Sequence, residues 1–298
     1  MQTDAVDSRE GERTPSRPTG RELFAFSPTG AGSLEGSGAM PAIELERIGE
    51  MPAIGLAAGR VVAVGAAVSL ATLLIVMLGF DSSFPPTPLV ATLALIPVNL
   101  ATLFIARRML HRAGSRLRDL IGFDRSRLGR DALWALLWLV VLYIPFVASI
   151  MGTMFALHGA AAFESFETVF VPEVVPDFPF ALAITLGVVA VLTFAPLNAP
   201  AEEIAYRGIA QGGLQASGRR KLAVLVPSLL FGLQHLFFAP SPSAMVVYGV
   251  AFFVWGLGSA LIYRWQRRLM PLIICHFLVN CLSTLPALIL PFMLQETL

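Results

Sequence analysis

The stretch "RVVAVGAAVSLATLLIVMLGF", residues 60–80, decides the fold. After its opening arginine it carries no charge, and about 20 apolar residues in helical form are what crossing the hydrocarbon core requires. Working outward from it, six further runs of the same kind lie at roughly 88–106, 131–154, 178–197, 222–238, 243–263 and 270–293. The whole chain is 56% hydrophobic and only 14% charged. Soluble domains sit near 45–50% and 25%. The expected fold class is therefore all-α: a polytopic transmembrane helix bundle with about seven spans (six to eight).

The first 55 residues differ in kind. They are rich in Gly, Pro, Ser and mixed charge without periodic hydrophobicity, the composition of a disordered tail. The expected organisation is a tail at 1–55 and a membrane domain at 56–298. No apolar core follows a basic start near the N-terminus, so no signal peptide is expected. Residues 107–130 form an arginine-laden stretch, part of which has the pattern of a surface amphipathic helix. Residues 155–177 form an acidic connection without a basic residue.

Basic residues set the orientation. Six Lys and Arg occur through Arg60, eight in 107–130, four in 207–221 and three in 264–268, together all 21 in the chain. With seven alternating spans these groups share one side, which the positive-inside rule makes cytoplasmic. The N-terminus is then cytoplasmic. A net charge of +1 gives no reason to expect a nucleic-acid partner. The expected partners are membrane lipid and a membrane-associated substrate; the oligomeric state stays open.

Charges inside such spans are costly, about 2.5–3.5 kcal/mol for an ionised residue at the centre of a helix. Three polar clusters stand out against that cost. In "NAPAEEIAYRGIAQ", 198–211, Glu203 and Arg207 are four apart and pair on one helix face. Glu202 is turned by about 100° and lacks an evident local partner. In "FGLQHLFF", 231–238, Phe231 and His235 share a face. In "CHFLVN", 275–280, His276 and Asn280 do the same. Each cluster alone also reads as structure: a solvated helix end, a hydrogen-bonded core histidine, a polar pair cementing two helices. Together they supply a base for water, a group to hold that water and donors for an oxyanion. Cys275 and Cys281 read as small apolar fillers, too few for a disulfide framework.

These clusters, in this order, resemble the signature of the CPBP family, which includes type II CAAX prenyl endopeptidases and the Abi, or bacteriocin-processing, proteins. EExxxR is matched by Glu202, Glu203 and Arg207, FxxxH by Phe231 and His235, HxxxN by His276 and Asn280. The resemblance covers roughly 178–285. One departure is Tyr206, where the family often has Phe; its phenol is placed to add a hydrogen bond near Glu202. The resemblance implies an intramembrane endopeptidase acting on a peptide or lipidated protein, in a bacterial inner membrane. Glu202 would be the base acting on a water shared with His235. His276 and Asn280 would stabilise the oxyanion, and Glu203 with Arg207 would orient the site. The family's metalloprotease reading implies zinc (Zn2+) on Glu202, His235 and His276. A metal-free glutamate mechanism uses the same residues and stays open.

Other classes fare worse. No HExxH helix is present, no paired aspartates lie in a span, and Ser259 in "GLGSA" makes no nucleophile elbow. Gly208 and Gly212 form a GxxxG spacing that allows close helix approach. No pair of broken helices in matching halves supports a transporter. A non-catalytic scaffold, or an immunity or accessory protein, that uses the same polar network for structure is the alternative of a different class.

Overall fold

A computed structural model describes residues 45–295. Every regular element among them is helical. The long helices are α1 (Glu50–Met77), α2 (Pro88–Arg112), α4 (Leu128–His158), α6 (Phe180–Glu202), α8 (Arg220–Gln234), α9 (Pro242–Gln266) and α10 (Met270–Thr284). Shorter pieces are α3 (Leu117–Ile121), α5 (Phe166–Phe170), α7 (Gly212–Ala216) and α11 (Pro286–Gln295). Seven helical segments are long and apolar enough to cross a membrane. The protein is an integral membrane protein, as the hydropathy runs require.

Two boundaries need correction. The first span begins at Glu50, inside the stretch read as tail. Ala53 is fully buried there, and a Cβ built on Gly213 would meet the Ala53 Cβ at 2.7 Å. Leu45 is also buried, and it packs against Gly212. Residues 45–55 thus belong to the bundle, while the expectation for 1–44 lies outside the described residues. The seventh run is not one helix. It breaks between Thr284 and Pro286, where a proline lacks the N–H to continue the ladder.

The arginine-laden stretch is likewise shared out. α2 continues to Arg112, and only the five residues of α3 and a 3-10 turn at Arg125–Arg127 remain before α4. Leu120 of α3 is buried. A Cβ on Gly208 would come within 2.8 Å of its Cδ2, so glycine lets this short helix close over the motif segment. At the other end of the bundle, α5 packs with α4 and α9 around Met154, Val169, Ala244 and Val247. The Ser241 side chain caps α9 by accepting from Ala244 N at 3.0 Å, and its hydroxyl donates to Val169 O at 2.9 Å.

Successive contacts run α1 to α2, α2 to α6, α6 to α10, α10 to α4, α4 to α9, α9 to α8 and α8 back to α1. Glycines set the tightest of these. A Cβ on Gly232 of α8 would lie 2.7 Å from Gly249 O, and one on Gly256 of α9 would lie 3.1 Å from Ser228 Cα. Within this enclosure runs the continuation of α6. Residues 201–214 are all buried, so the segment shows no face to lipid.

Candidate active site

The segment after α6 is a π-helix, Glu203–Gln211. It begins three residues after Pro200, where Pro196 and Pro200 have already removed two donors from the helical ladder. Hydrogen bonds of the i to i+5 kind widen the turn, so the rotation per residue falls below the α-helical value; π segments are rare and frequent at functional sites. Here the widening coincides with two adjacent glutamates that both point inward. Glu202 is 2% exposed, Glu203 1% and Arg207 1%. The reading of these charges as a solvated helix end is therefore overturned.

Glu203 makes the expected pair, with Arg207 Nη1 3.3 Å from its Oε1. The Arg207 guanidinium also lies over the Phe231 ring, 4.4 Å from its centroid. Nη2 reaches towards Gly256 O at 3.5 Å. Gln211, one turn further, donates to Ala260 O at 2.8 Å. The π segment is thus tied to α9 by two side chains, Arg207 and Gln211.

Glu202 departs from expectation. It is not without a partner: its Oε1 accepts from Arg60 Nη2 at 3.0 Å and from Gln234 Nε2 at 2.9 Å. Arg60, counted by hydropathy as a charge flanking the first span, sits inside α1 and is 2% exposed. Its guanidinium also donates to Asn99 Oδ1 at 2.8 Å, Asn198 Oδ1 at 3.0 Å and Thr102 Oγ1 at 3.0 Å. Gln234 in turn accepts from the Tyr206 hydroxyl at 2.8 Å. The Tyr206 phenol does reach Glu202, but through Gln234 rather than directly.

His276 lies between the two glutamates. Its Nδ1 is 2.9 Å from Glu203 Oε1, and its Nε2 is 3.4 Å from Glu202 Oε2. A carboxylate only accepts, so Nδ1–H donates to Glu203 and fixes the ring. Glu202 Oε2 is buried without a hydrogen bond among the described residues. Asn280 stands one turn further along α10, and its buried Nδ2 also has no hydrogen-bond partner among the described residues.

His235 begins the 3-10 turn His235–Phe238 that ends α8. Its Nδ1 is 2.7 Å from Phe231 O. A carbonyl accepts, so in the neutral ring Nε2 is the atom left with a lone pair. The ring stacks flat on Phe252, with centroids 3.5 Å apart and planes at 6°. Phe231 is 1% exposed and touches both histidines, its centroid 4.8 Å from His235 and 6.1 Å from His276. It therefore walls the polar site from one side and holds both rings. Cys275, next to His276, is buried in the apolar cluster with Tyr206 and Phe231, and both cysteines are free. Ser259 is fully buried, which suits a packing residue.

Residues 182–282 match the family model described as type II CAAX prenyl endopeptidase Rce1-like. The chain carries an Rce1-like domain. Comparison with curated proteins and with solved structures finds no match. The Rce1-like domain covers about a third of the chain. It contains Glu202, Glu203, Arg207, His235, His276 and Asn280, and also Tyr206 and Gln234. Arg60, Asn99 and Thr102 lie outside it.

The donors of the candidate site bear on whether it suits a metal ion. Among the described residues no group of three His, Cys, Asp or Glu side chains is gathered to hold an ion. Glu202 carries a guanidinium at 3.0 Å and Glu203 one at 3.3 Å, charges that oppose a cation nearby. As arranged, Glu202, His235 and His276 do not make a ready metal site.

Proposed function

We propose that this chain is an intramembrane endopeptidase that hydrolyses a peptide bond of a membrane-associated protein or peptide, with a prenylated C-terminal segment as the substrate class. The observation that carries the reading is the unequal use of the two Glu202 oxygens. Oε1 is filled by Arg60 and Gln234, while Oε2 is buried, without a hydrogen bond among the described residues, and 3.4 Å from His276 Nε2. Such an oxygen is suited to take a proton from water.

In this reading Glu202 Oε2 removes a proton from a water that His235 Nε2 helps to hold. The water oxygen adds to the substrate carbonyl carbon, and the carbonyl oxygen becomes an oxyanion. Asn280 Nδ2 donates to that oxyanion. The C–N bond then breaks, and the proton held on Glu202 passes to the leaving amine. The short Oε2 to Nε2 path lets His276 share that proton, while Glu203 keeps its ring fixed. The same reading takes the membrane to be a bacterial inner membrane and the N-terminus to be cytoplasmic, an orientation that the positive-inside pattern supports.

The test is turnover of a quenched peptide bearing a farnesylated C-terminus, by purified protein in liposomes. Glu202→Gln, His235→Ala and His276→Ala are expected to lose at least about 100-fold in kcat while still inserting. Turnover at the wild-type rate in all three overturns the proposal. A chelator at millimolar level is expected to leave the rate unchanged. Loss of activity restored by added zinc would favour the metal reading instead. A folded wild type that cleaves nothing favours the scaffold reading, in which the same side chains serve only as an interhelical polar network.

A further inference from the structure

We infer that Arg60 is a positioning residue that clamps Glu202, so that helices outside the Rce1-like domain complete its site; this rests on the peptidase reading. A guanidinium inside a membrane helix is costly and needs partners. Neutralising Glu202 requires only a positive charge nearby. The surroundings of Arg60 do more than that. Nη2 lies within hydrogen-bonding distance of three acceptors on α2 and α6, Asn99 Oδ1 at 2.8 Å, Asn198 Oδ1 at 3.0 Å and Glu202 Oε1 at 3.0 Å, so its two hydrogens serve all three with one of them shared. Nη1 is held by Thr102 Oγ1 at 3.0 Å, and the Thr102 hydroxyl hydrogen is committed to Val98 O at 2.7 Å. Thr102 must therefore accept from Arg60 and cannot turn away.

Three neutral acceptors brace the fork before it meets the carboxylate. The planar guanidinium presents its donors in a fixed geometry that an ammonium lacks. With Gln234 Nε2 at 2.9 Å on the same oxygen, Oε1 has both of its acceptor positions filled. The carboxylate then has one orientation, and Oε2 is the oxygen turned to His276. The other charged or titratable groups of the site, Glu203, Tyr206, Arg207, His235 and His276, make no hydrogen bond to Oε1. Arg60 fixes the reacting oxygen without touching it.

The experiment uses the full chain in liposomes and the farnesylated quenched peptide, with melting read in parallel. Arg60→Gln is expected to lower kcat about 100-fold, the scale of an ångström of misplacement, with KM within about twofold. Arg60→Lys keeps the charge but not the fork, and is expected to recover only part of that loss. Full wild-type kcat in Arg60→Lys means that charge alone matters, and it overturns the clamp. Wild-type kcat in Arg60→Gln overturns it as well. Should Arg60→Gln fail to fold, Asn99→Ala with Thr102→Val loosens the brace with the charge in place. That pair is expected to lower kcat several-fold at constant KM, and an unchanged kcat overturns the inference. A readout free of catalysis separates the two readings. Melting shifts of Arg60→Gln, Glu202→Gln and the double variant are expected to be non-additive, and additive shifts remove the clamp. If the wild type cleaves none of the peptides, the peptidase reading falls, and the melting cycle still decides the clamp.

Discussion

At the scale of single residues, the site is a chain of alternating basic and acidic side chains. Arg207, Glu203, His276, Glu202 and Arg60 follow one another at 3.3, 2.9, 3.4 and 3.0 Å. Each acidic group has a cation on one side and the imidazole on the other, which explains how two carboxylates persist in a buried interior. A second line enters at Glu202, from the Tyr206 hydroxyl through Gln234. Tyr206→Phe removes its first bond and leaves the Gln234 carbonyl buried and unpaired. A lost bond of about 1 kcal/mol corresponds to roughly a fivefold drop in turnover. KM should stay unchanged, because Gln234 keeps its donor on Glu202. Steady-state kinetics on the farnesylated peptide measure this, and an unchanged kcat means that the phenol only packs. Six of the site residues were legible because polar side chains at four-residue spacing are conspicuous against apolar helices. Gln234 carried the same signal, a lone amide in "SLLFGLQHLFF", and Asn99 and Asn198 carried it too. Arg60 was hidden for a different reason. A charge closes a hydropathy window, but it does not end a helix when "MPAIGLAAG" before it is just as apolar or small.

At the scale of elements, the π segment and the glycine contacts place these side chains. The expected i, i+4 pair of Glu203 and Arg207 survives the change in winding. The expected divergence of Glu202 and Glu203 does not, because both meet the same imidazole. Nothing in residue type marks a shift of hydrogen bonds from i+4 to i+5, although Pro196 and Pro200 do mark where the ladder loses donors. The end of α8 matters in a similar way, since the turn into 3-10 geometry at His235 lets its ring lie flat on Phe252. α8 is held against α9 at Gly232, where a methyl would press on the Gly249 carbonyl and the Phe253 amide. Those are backbone atoms and cannot swing aside. Gly232→Ala should therefore cost about 1–3 kcal/mol and lower both melting temperature and turnover, because Phe231 and His235 flank that position. Gly59→Ala is the matched contrast. It sits in a helix with nothing within 4 Å of a new Cβ, and replacing glycine in an open helical position is expected to stabilise by up to about 1 kcal/mol. Equal melting shifts in the two variants would show that the α8 to α9 contact is not tight.

At the scale of the whole molecule, the motif segment is buried by helices from both halves of the chain. α6 to α10 supply the motif residues, while α1 and α2 supply the clamp on Glu202. The hydropathy runs gave the number of spans because burial in lipid leaves a long apolar signature on every helix. They could not give the packing order, which depends on side-chain fit. Orientation follows from where the remaining charges fall. Arg60 and Arg207 are buried in the bundle, so two of the 21 basic residues cannot report on topology. The other groups still alternate with Asp81, with the acidic connection and with the turn before α9. Removing Arg60 from the count leaves the sign of every loop unchanged, so the positive-inside rule still supports the proposed orientation, with residues 113–127 cytoplasmic and 162–179 outside. Ser126 and Thr168 are exposed positions in those two connections. In a chain carrying Cys275→Ala and Cys281→Ala, Thr168→Cys should react with a membrane-impermeant maleimide in intact cells. Ser126→Cys should react only after the membrane is opened. The reverse pattern would invert the orientation, and it would place the Arg219–Glu50 pair and the start of α1 on the outer side.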